Sequence, residues 1–377
     1  MKKIKALSFS NKGRVIVISD IHGELKLLKR LLEKVNYDTE DYLIINGDLC
    51  EKGSNSKGVV SYLMELSANN PKVHVTEGNC EALIEELLNE NPKLINYLCA
   101  RKNSLLNEWL ELLGFHVNEK TNIQEVKELL INNFPEEIKW LSELPTAIET
   151  DDYIFVHAGL ENIENWKETD RKTAITLPSF LDKSHCANKY VIVGHWPLIN
   201  YSSNIPANNP IIDKAKKIIA IDGGNAVKAT GQLNAFIINR ASSSPDVFSY
   251  TYVDNFPNFK VLKDFSAEPK MQGSITYPLY NIAPVEKNDH FTLCKLLKSN
   301  QSLYVKNEYI LQNETGHFTA KTDVSCAQIT VRKGDIVSLI DDTCKGYDLI
   351  KKDGLEGWIV KDIILELSEK EGKINVI

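Results

Sequence analysis

Ile16-Val17-Ile18-Ser19-Asp20-Ile21-His22-Gly23-Glu24 is the stretch on which the reading of this chain turns. Residues 14–19 form a short apolar run rich in β-branched side chains, the pattern of a strand buried on both faces. The run leads straight into Asp20 and His22. Gly23 then turns the backbone, and Leu25, Leu28, Leu32 and Val35 follow at helical spacing with lysines between them. A carboxylate and an imidazole two residues apart at a strand end can point at one spot. That is half of a metal site, and four later strands end in residues of the same kind.

Outward from this stretch the pattern repeats. YLIIN (42–46) reads as a second strand ending at Gly47-Asp48. Residues 55–69 read as a helix, and KVHVT (72–76) as a third strand ending at Glu77-Gly78-Asn79. Strand and helix alternating at this spacing predict βαβ units and an α/β fold. From Glu81 to about Leu144 the apolar residues recur at helical spacing, punctuated by Pro92 and Pro135, which predicts an all-helical insert over about 81–145. Strands return at 153–159, 191–197, 218–224 and 233–239.

In α/β folds, sites lie beyond the carboxyl ends of the strands. The five strand ends therefore send Asp20, His22, Asp48, Asn79, His157 and His195 to one crevice. Taken singly, an Asp after a strand is commonly a turn or cap residue, and a lone His a hydrogen-bonded, half-buried one. Five coincident strand ends with their glycines outweigh that reading. Mixed oxygen and nitrogen donors suit Mn, Fe or Zn better than Ca. Six donors exceed what one structural ion takes. With Asp48 bridging, they would serve two divalent ions about 3.5–4 Å apart, manganese being the first choice.

The bulk numbers set the frame. At 377 residues, 43% hydrophobic and 25% charged, the chain has the make-up of an ordinary globular protein of two or three domains. A net charge of −7 supplies no excess of lysine and arginine for non-specific nucleic-acid binding. The N-terminal residues lack the apolar core and cleavage site of a signal peptide, and no apolar run approaches a membrane span. Seven scattered cysteines without CxxC spacing suit reduced thiols, so a cytoplasmic location is expected.

SDIHG (19–23), GDLCEKGSNS (47–56), GNCE (78–81), HAG (157–159), GHWP (194–197) and IDGG (221–224) stand in the order of a known pattern. Through them, roughly residues 14–240 resemble the calcineurin-like metallophosphoesterases, and within these the phosphoprotein phosphatases. The resemblance implies an αββα sandwich with a helical insert and hydrolysis of phosphate esters. Asp20, His22 and Asp48 would hold a first metal, and Asp48, Asn79, His157 and His195 a second. The substrate would be a phosphorylated protein or, as in related bis(5'-nucleosyl)-tetraphosphatases, a nucleotide. A catalytically weak scaffold is the reading from another class.

The departures from the family pattern lie together. Its paired Asp and His, the His protonating the leaving group, are replaced by Glu51 and Cys80. Its phosphate-gripping Arg is Lys52, which keeps the charge but loses the bidentate fork. Arg171 is the only arginine between the HAG and GH histidines and is the expected second clamp, with Asn79 also facing phosphate. A thiol is rarely arranged as a general acid. The expected preference is therefore for aryl esters, diesters or anhydrides over alkyl phosphomonoesters.

The expected domains are a metallophosphoesterase domain over 1–255, an extended linking segment over 256–305, and an SH3-like β-barrel over 306–370. The last resembles bacterial SH3-like modules through ITVRKGDIVSLID and Gly357-Trp358-Ile359-Val360. Peptide recognition and simple packing are both open for it.

Overall fold

The computed structural model describes residues 1, 3–242, 244–299 and 301–367. These fall into two compact units. The first comprises 1–197, 210–227 and 231–254, and the second comprises 198–209, 228–230 and the chain from 255 onward.

In chain order, the first unit opens with β1 (Ile4–Ala6), β2 (Gly13–Ile18), α1 (Leu25–Lys34), β3 (Tyr42–Asn46), α2 (Ser56–Asn69) and β4 (Val73–Thr76). Five helices follow without a strand: α3 (Ala82–Leu88), α4 (Lys93–Ala100), α5 (Leu105–Leu112), α6 (Ile123–Asn133) and α7 (Pro135–Glu143). Then come β5 (Ala147–Glu149), β6 (Tyr153–Val156), α8 (Arg171–Thr176), β7 (Tyr190–Val193), β8 (Ile211–Asp213), β9 (Ile218–Ala220), β10 (Leu233–Ala241) and β11 (Ser244–Val253).

The strands make a five-stranded sheet, β11-β10-β2-β3-β4, and a six-stranded sheet, β1-β5-β6-β7-β9-β8. Strands β2, β3 and β4 are mutually parallel, as are β6, β7 and β9. The two inner faces share one core, in which Val15, Val17, Ile44 and Phe236 meet Phe155, Ile192 and Ile219. The pleat sends Ile16, Ile18, Leu43 and Ile45 to the opposite face, where they join Leu28, Leu31, Val59 and Leu63 of α1 and α2 and the apolar residues of the helical stretch. Burial on both faces explains why these strands read as continuous apolar runs. The helical layers are unequal. Helices α3–α7 build on the five-stranded side, whereas the six-stranded sheet is accompanied by the six-residue α8 and short 3-10 turns. No helix among the described residues is long and apolar enough to cross a membrane.

On the edge strand β4, buried His74 places Nδ1 3.1 Å from Lys5 Nζ. Burial, with Lys5 adding, lowers its pKa to about 4. The unfolded chain therefore takes up a proton near pH 6.5, before the folded one does. Stability is unaffected above that pH and is lost as pH falls from about 6.5 toward 4, by at most about 1.4 kcal/mol per pH unit. Thermal melts of His74→Gln should decline less over this window than those of wild type. Parallel declines would remove His74 as the cause.

The second unit is all β: β12 (Asn258–Val261), β13 (Ser274–Ile275), β14 (Asn281–Lys287), β15 (Phe291–Leu296), β16 (Ser302–Lys306), β17 (Ile310–Gln312), β18 (Phe318–Ala320), β19 (Val324–Ser325), β20 (Ile336–Asp341), β21 (Tyr347–Lys352), β22 (Leu355–Val360) and β23 (Ile364–Glu366). Residues 256–305 were expected as a linking segment, yet they supply strands to the unit's sheets. Strand β12 lies between β20 and β23, and β14 and β15 belong to the sheet β16-β15-β14-β18-β17. Pro284 and a register shift between Pro284 and Glu286 break the alternation that would have revealed β14.

The sheet β22-β21-β20-β12-β23 is open, its end strands not paired with each other among the described residues. The all-β character expected for 306–370 is present, while closure of these strands into a barrel is not shown among the described residues, and residues 368–370 lie outside them. Trp358 is fully buried and donates its indole N–H to the Ser325 carbonyl at 2.7 Å, so it serves the core.

Candidate metal centre

The carboxyl ends of both parallel strand sets converge. Asp20 and His22 follow β2, Asp48 follows β3 and Asn79 follows β4, while His157, His195 and Asp222 follow β6, β7 and β9. Asn46, the last residue of β3, ties the two sheets together by donating to the carbonyls of Val156 (3.0 Å) and Ile192 (3.1 Å). Asp20, His22, Asp48 and His195 all have left-handed backbone, with φ of +56°, +48°, +52° and +67°. For residues with a Cβ this costs on the order of 1–3 kcal/mol each, and such strain clusters at functional sites. It turns each side chain off its strand axis into the crevice. Gly47 permits the close approach, since a Cβ there would lie 2.7 Å from His157 Nδ1.

Asp48 stands in the middle. Its Oδ1 lies 3.4 Å from His157 Nε2, and its Oδ2 lies 3.7 Å from His22 Nε2. Asp20 Oδ1 lies 3.9 Å from His22 Nε2, and the Asp20 carboxylate accepts from the His195 backbone N–H at 3.1 and 3.2 Å. Among the described residues, two groups have donor atoms within 4.8 Å of one another, His22-Asp48-Cys80 and Asp20-Asp48-His157, and Asp48 belongs to both. The Asn79 amide oxygen is 3.2 Å from His157 Nε2 and 2.8 Å from His195 Nδ1. Two imidazole nitrogens and the Asn79 side-chain amide thus converge on one spot. That convergence, beside buried carboxylates, fits a cation.

Burial and neighbouring charges act differently on the individual groups, and Asp48, after burial, raises the pKa of His157. Burial opposes ionisation of Asp48, but His157, His22 and Lys52 together hold its carboxyl below the usual range. Burial, with Asp222 adding, pushes Asp20 well up. Burial lowers His22 and His195 to about 4, which keeps both imidazoles neutral and able to donate lone pairs.

Three supporting residues were not singled out from the sequence. Glu81 is buried, and its carboxylate accepts from the backbone N–H of Asp48 (3.0 Å), Leu49 (2.9 Å) and Gly78 (2.7 Å), with Cys50 N–H at 3.4 Å. Asn46 accepts from His157 Nδ1 at 3.0 Å through its backbone carbonyl, which leaves Nε2 facing the crevice. Asn225 donates to the carbonyl of Ile21 at 2.8 Å. A charged residue inside GNCE was the one available signal, and it pointed to Glu81.

The family-departing residues do not gather as a pair. Glu51 faces the helical layer, accepting from Tyr97 Oη at 2.6 Å and from the Leu105 N–H at 2.9 Å. Cys80 is buried, its N–H donating to Asp48 Oδ1 at 2.9 Å and its Sγ lying 3.9 Å from His22 Nδ1. That ring edge is opposite to the Nε2 that faces the aspartates. Lys52 Nζ lies 3.2 Å from His22 Nε2, inside the cluster. Arg171 is placed elsewhere: its fork is spent on Glu77 (2.8 and 2.5 Å) and on Glu85 (2.6 Å).

A family profile described as calcineurin-like phosphoesterase matches residues 13–223, which takes in every strand end named above. The chain belongs to the calcineurin-like phosphoesterase family. It is 28% identical over 188 residues to the symmetrical bis(5'-nucleosyl)-tetraphosphatase of Hamiltonella defensa, covering 45% of this chain and 55% of that one. It is 26% identical over 160 residues to Shewanella-like protein phosphatase 1 of Plasmodium berghei, covering 39% of each. The chain thus spans about half the length, or less, of these curated relatives. Among solved structures, it is similar to a protein serine/threonine phosphatase from Saccharomyces cerevisiae, with 12% identity and a TM-score of 0.41, covering 67% of this chain and 85% of that one.

Proposed function

We propose that the chain is a metal-dependent phosphoesterase holding two divalent ions, with Asp48 shared between them. The observation that carries this reading is the placement of the two Asp48 oxygens against different imidazoles, His157 on one side and His22 on the other. Asp20, His22 and Asp48 would form one half-site, and Asp48, Asn79, His157 and His195 the other. Two ions there would supply an activated water and neutralise phosphoryl oxygens. Oxygen and nitrogen donors favour manganese, with iron or zinc also suited. The test is turnover of an aryl phosphate by protein stripped with a chelator and reloaded with Mn²⁺, beside elemental analysis. Two ions per chain and turnover restored on reloading support the reading, and full turnover in the stripped protein overturns it.

The chain's own residues shape the substrate range. Lys52 places an ammonium among the ligands, where it would meet a phosphoryl group as a point charge. Asn79 offers an amide between His157 and His195. Cys80 is buried and its thiol is pushed well up, by burial first and then by Asp48, so it stays neutral and is a poor nucleophile. No imidazole stands at position 80 to protonate a leaving oxygen. The substrates favoured are therefore esters or anhydrides whose leaving groups depart unassisted, and a phosphoserine protein is the less favoured one. Seven free thiols support a cytoplasmic setting. For the C-terminal β unit, buried Trp358 favours a packing role over an SH3-like peptide groove.

Cys80→His is expected to raise phosphoserine-peptide turnover about 10- to 100-fold relative to aryl phosphate. This is the low end of what acid catalysis supplies, because Glu51, which would orient the new imidazole, is already held by Tyr97. Side-by-side kcat values on the two substrates decide it. An unchanged ratio would show that position 80 does not set leaving-group preference.

A further inference from the structure

Lys52 reaches into the candidate centre from a backbone that is fixed on every side. Glu51 and Lys52 are both left-handed, with φ of +71° and +69°. The Lys52 N–H donates to the Asn103 carbonyl, and Asn103 Nδ2 donates back to the Lys52 carbonyl, both at 3.1 Å. The Glu51 N–H donates to Ser56 Oγ at 3.0 Å, and its carboxylate is held by Tyr97 and Leu105. Gly53 follows, packed so tightly that a Cβ there would run into the His22 carbonyl. The surroundings thus hold two strained residues in place. The freedom that remains belongs to the flexible four-carbon stem of the lysine.

The Lys52 ammonium ends 3.2 Å from His22 Nε2. An ammonium only donates, so Nε2 accepts. The other ring nitrogen, Nδ1, lies 3.3 Å from the Cys50 carbonyl, which only accepts, so Nδ1 carries the proton. The two contacts agree on one tautomer, and it is the one a metal ligand at Nε2 needs. That nitrogen has a single lone pair, which serves a proton donor or an ion but not both. It is also the nitrogen that lies 3.7 Å from Asp48 and 3.9 Å from Asp20. Burial opposes ionisation of Asp48, and Lys52 joins His157 and His22 in overcoming it. The ammonium therefore does at this spot what a bound cation would do: it occupies Nε2 and favours the charged carboxylate.

We propose that Lys52 is a built-in competitor for one of the two ions. Its ammonium holds the His22 lone pair until the ion displaces it, so the half-site of Asp20 and His22 binds its ion more weakly than the half-site of Asn79, His157 and His195. This rests on the two-ion reading. The exchange swaps one hydrogen bond for one ligand bond, and only the lysine stem has to move. It also ties phosphate grip to metal loading, because the ammonium is released to meet a phosphoryl group only when the ion arrives.

The test counts Mn²⁺ and does not depend on turnover. Full-length protein stripped with a chelator is titrated with Mn²⁺, and the free ion is read by its electron paramagnetic resonance signal. The proteins are wild type, Lys52→Met, Lys52→Gln and Lys102→Met. Methionine and glutamine are unbranched at Cβ, as lysine is, so the backbone at position 52 bears them equally. Lys102, exposed beside Asn103, is the control for long-range charge. Wild type should show one tight and one weak ion. Both Lys52 variants should tighten the weak ion about tenfold or more, the worth of one charge-assisted hydrogen bond, and change the tight ion clearly less. An unchanged weak ion overturns the proposal. An equal gain at both ions, or an equal gain in Lys102→Met, also overturns it, since either marks repulsion across the whole crevice in place of competition for one nitrogen. Fewer than two ions in every protein at saturating Mn²⁺ overturns the two-ion reading itself, whereas two ions whose affinities ignore Lys52 overturn this inference alone.

Discussion

Asp48→Asn is expected to reduce phosphoester turnover at least about 10³-fold and to leave less than one tightly held Mn²⁺ per chain. The size of the effect follows from position. Removing Asp20 or His157 would weaken one half-site, but Asp48 faces both His157 Nε2 and His22 Nε2. Its Oδ1 also accepts the Cys80 N–H at 2.9 Å, and its carboxylate is held in the ionised state by His157, His22 and Lys52 despite burial. Asparagine keeps the shape and one acceptor oxygen, so the fold should persist. It removes the charge and turns one acceptor into a donor that points at an imidazole lone pair. Elemental analysis after gel filtration, with circular dichroism as the check on folding, reads the outcome. Two retained ions in Asp48→Asn would show that Asp48 is not shared.

The strand ends were legible because burial on both faces makes parallel strands read as apolar runs, and the residue that breaks each run stands out. Asp20, His22, Asp48, His157 and His195 are all of this kind. The left-handed backbone at Asp20, His22, Asp48 and His195 was not legible, since nothing in a side-chain pattern reports φ for a non-glycine residue. Arg171 shows a different limit. Elimination made it a phosphate clamp, but a buried carboxylate at Glu77, 94 positions away in sequence, takes its fork. Tyr97 escaped notice because its partner, Glu51, joins it only through the fold. In the C-terminal unit, short strands were visible but their pairing was not. Strand β12 joins β20 and β23 across more than seventy residues of chain, and no local alternation encodes such a partner.

Glu81→Ala should cost on the order of 3–6 kcal/mol of stability, more than the loss of an exposed or half-exposed charge at this end of the molecule. The Glu81 side chain is fully enclosed, and the donors it satisfies are backbone N–H groups of two separate loops, Asp48-Leu49-Cys50 after β3 and Gly78 after β4. Cys50 Sγ is a fifth donor at 3.3 Å. These N–H groups lie beyond the ends of β3 and β4, so they have no strand neighbour to turn to. Alanine leaves them buried and unpaired, each costing about 1–3 kcal/mol before relaxation. Glu81→Gln keeps one carbonyl oxygen and sets its NH₂ against the remaining donors, so it should fall between alanine and wild type. Burial, with Asp48 adding, pushes the Glu81 pKa up to about 7 while the Gly78 N–H holds it down, so the comparison belongs at one fixed pH. Urea unfolding in the presence of a chelator isolates the effect from metal linkage, which would otherwise add to wild type alone. The expected order of midpoints is wild type, Glu81→Gln, Glu81→Ala, at constant m. A loss below about 1 kcal/mol in Glu81→Ala would mean that the two loops hold their conformation without this carboxylate, and that the left-handed turn at Asp48 is stable on local grounds.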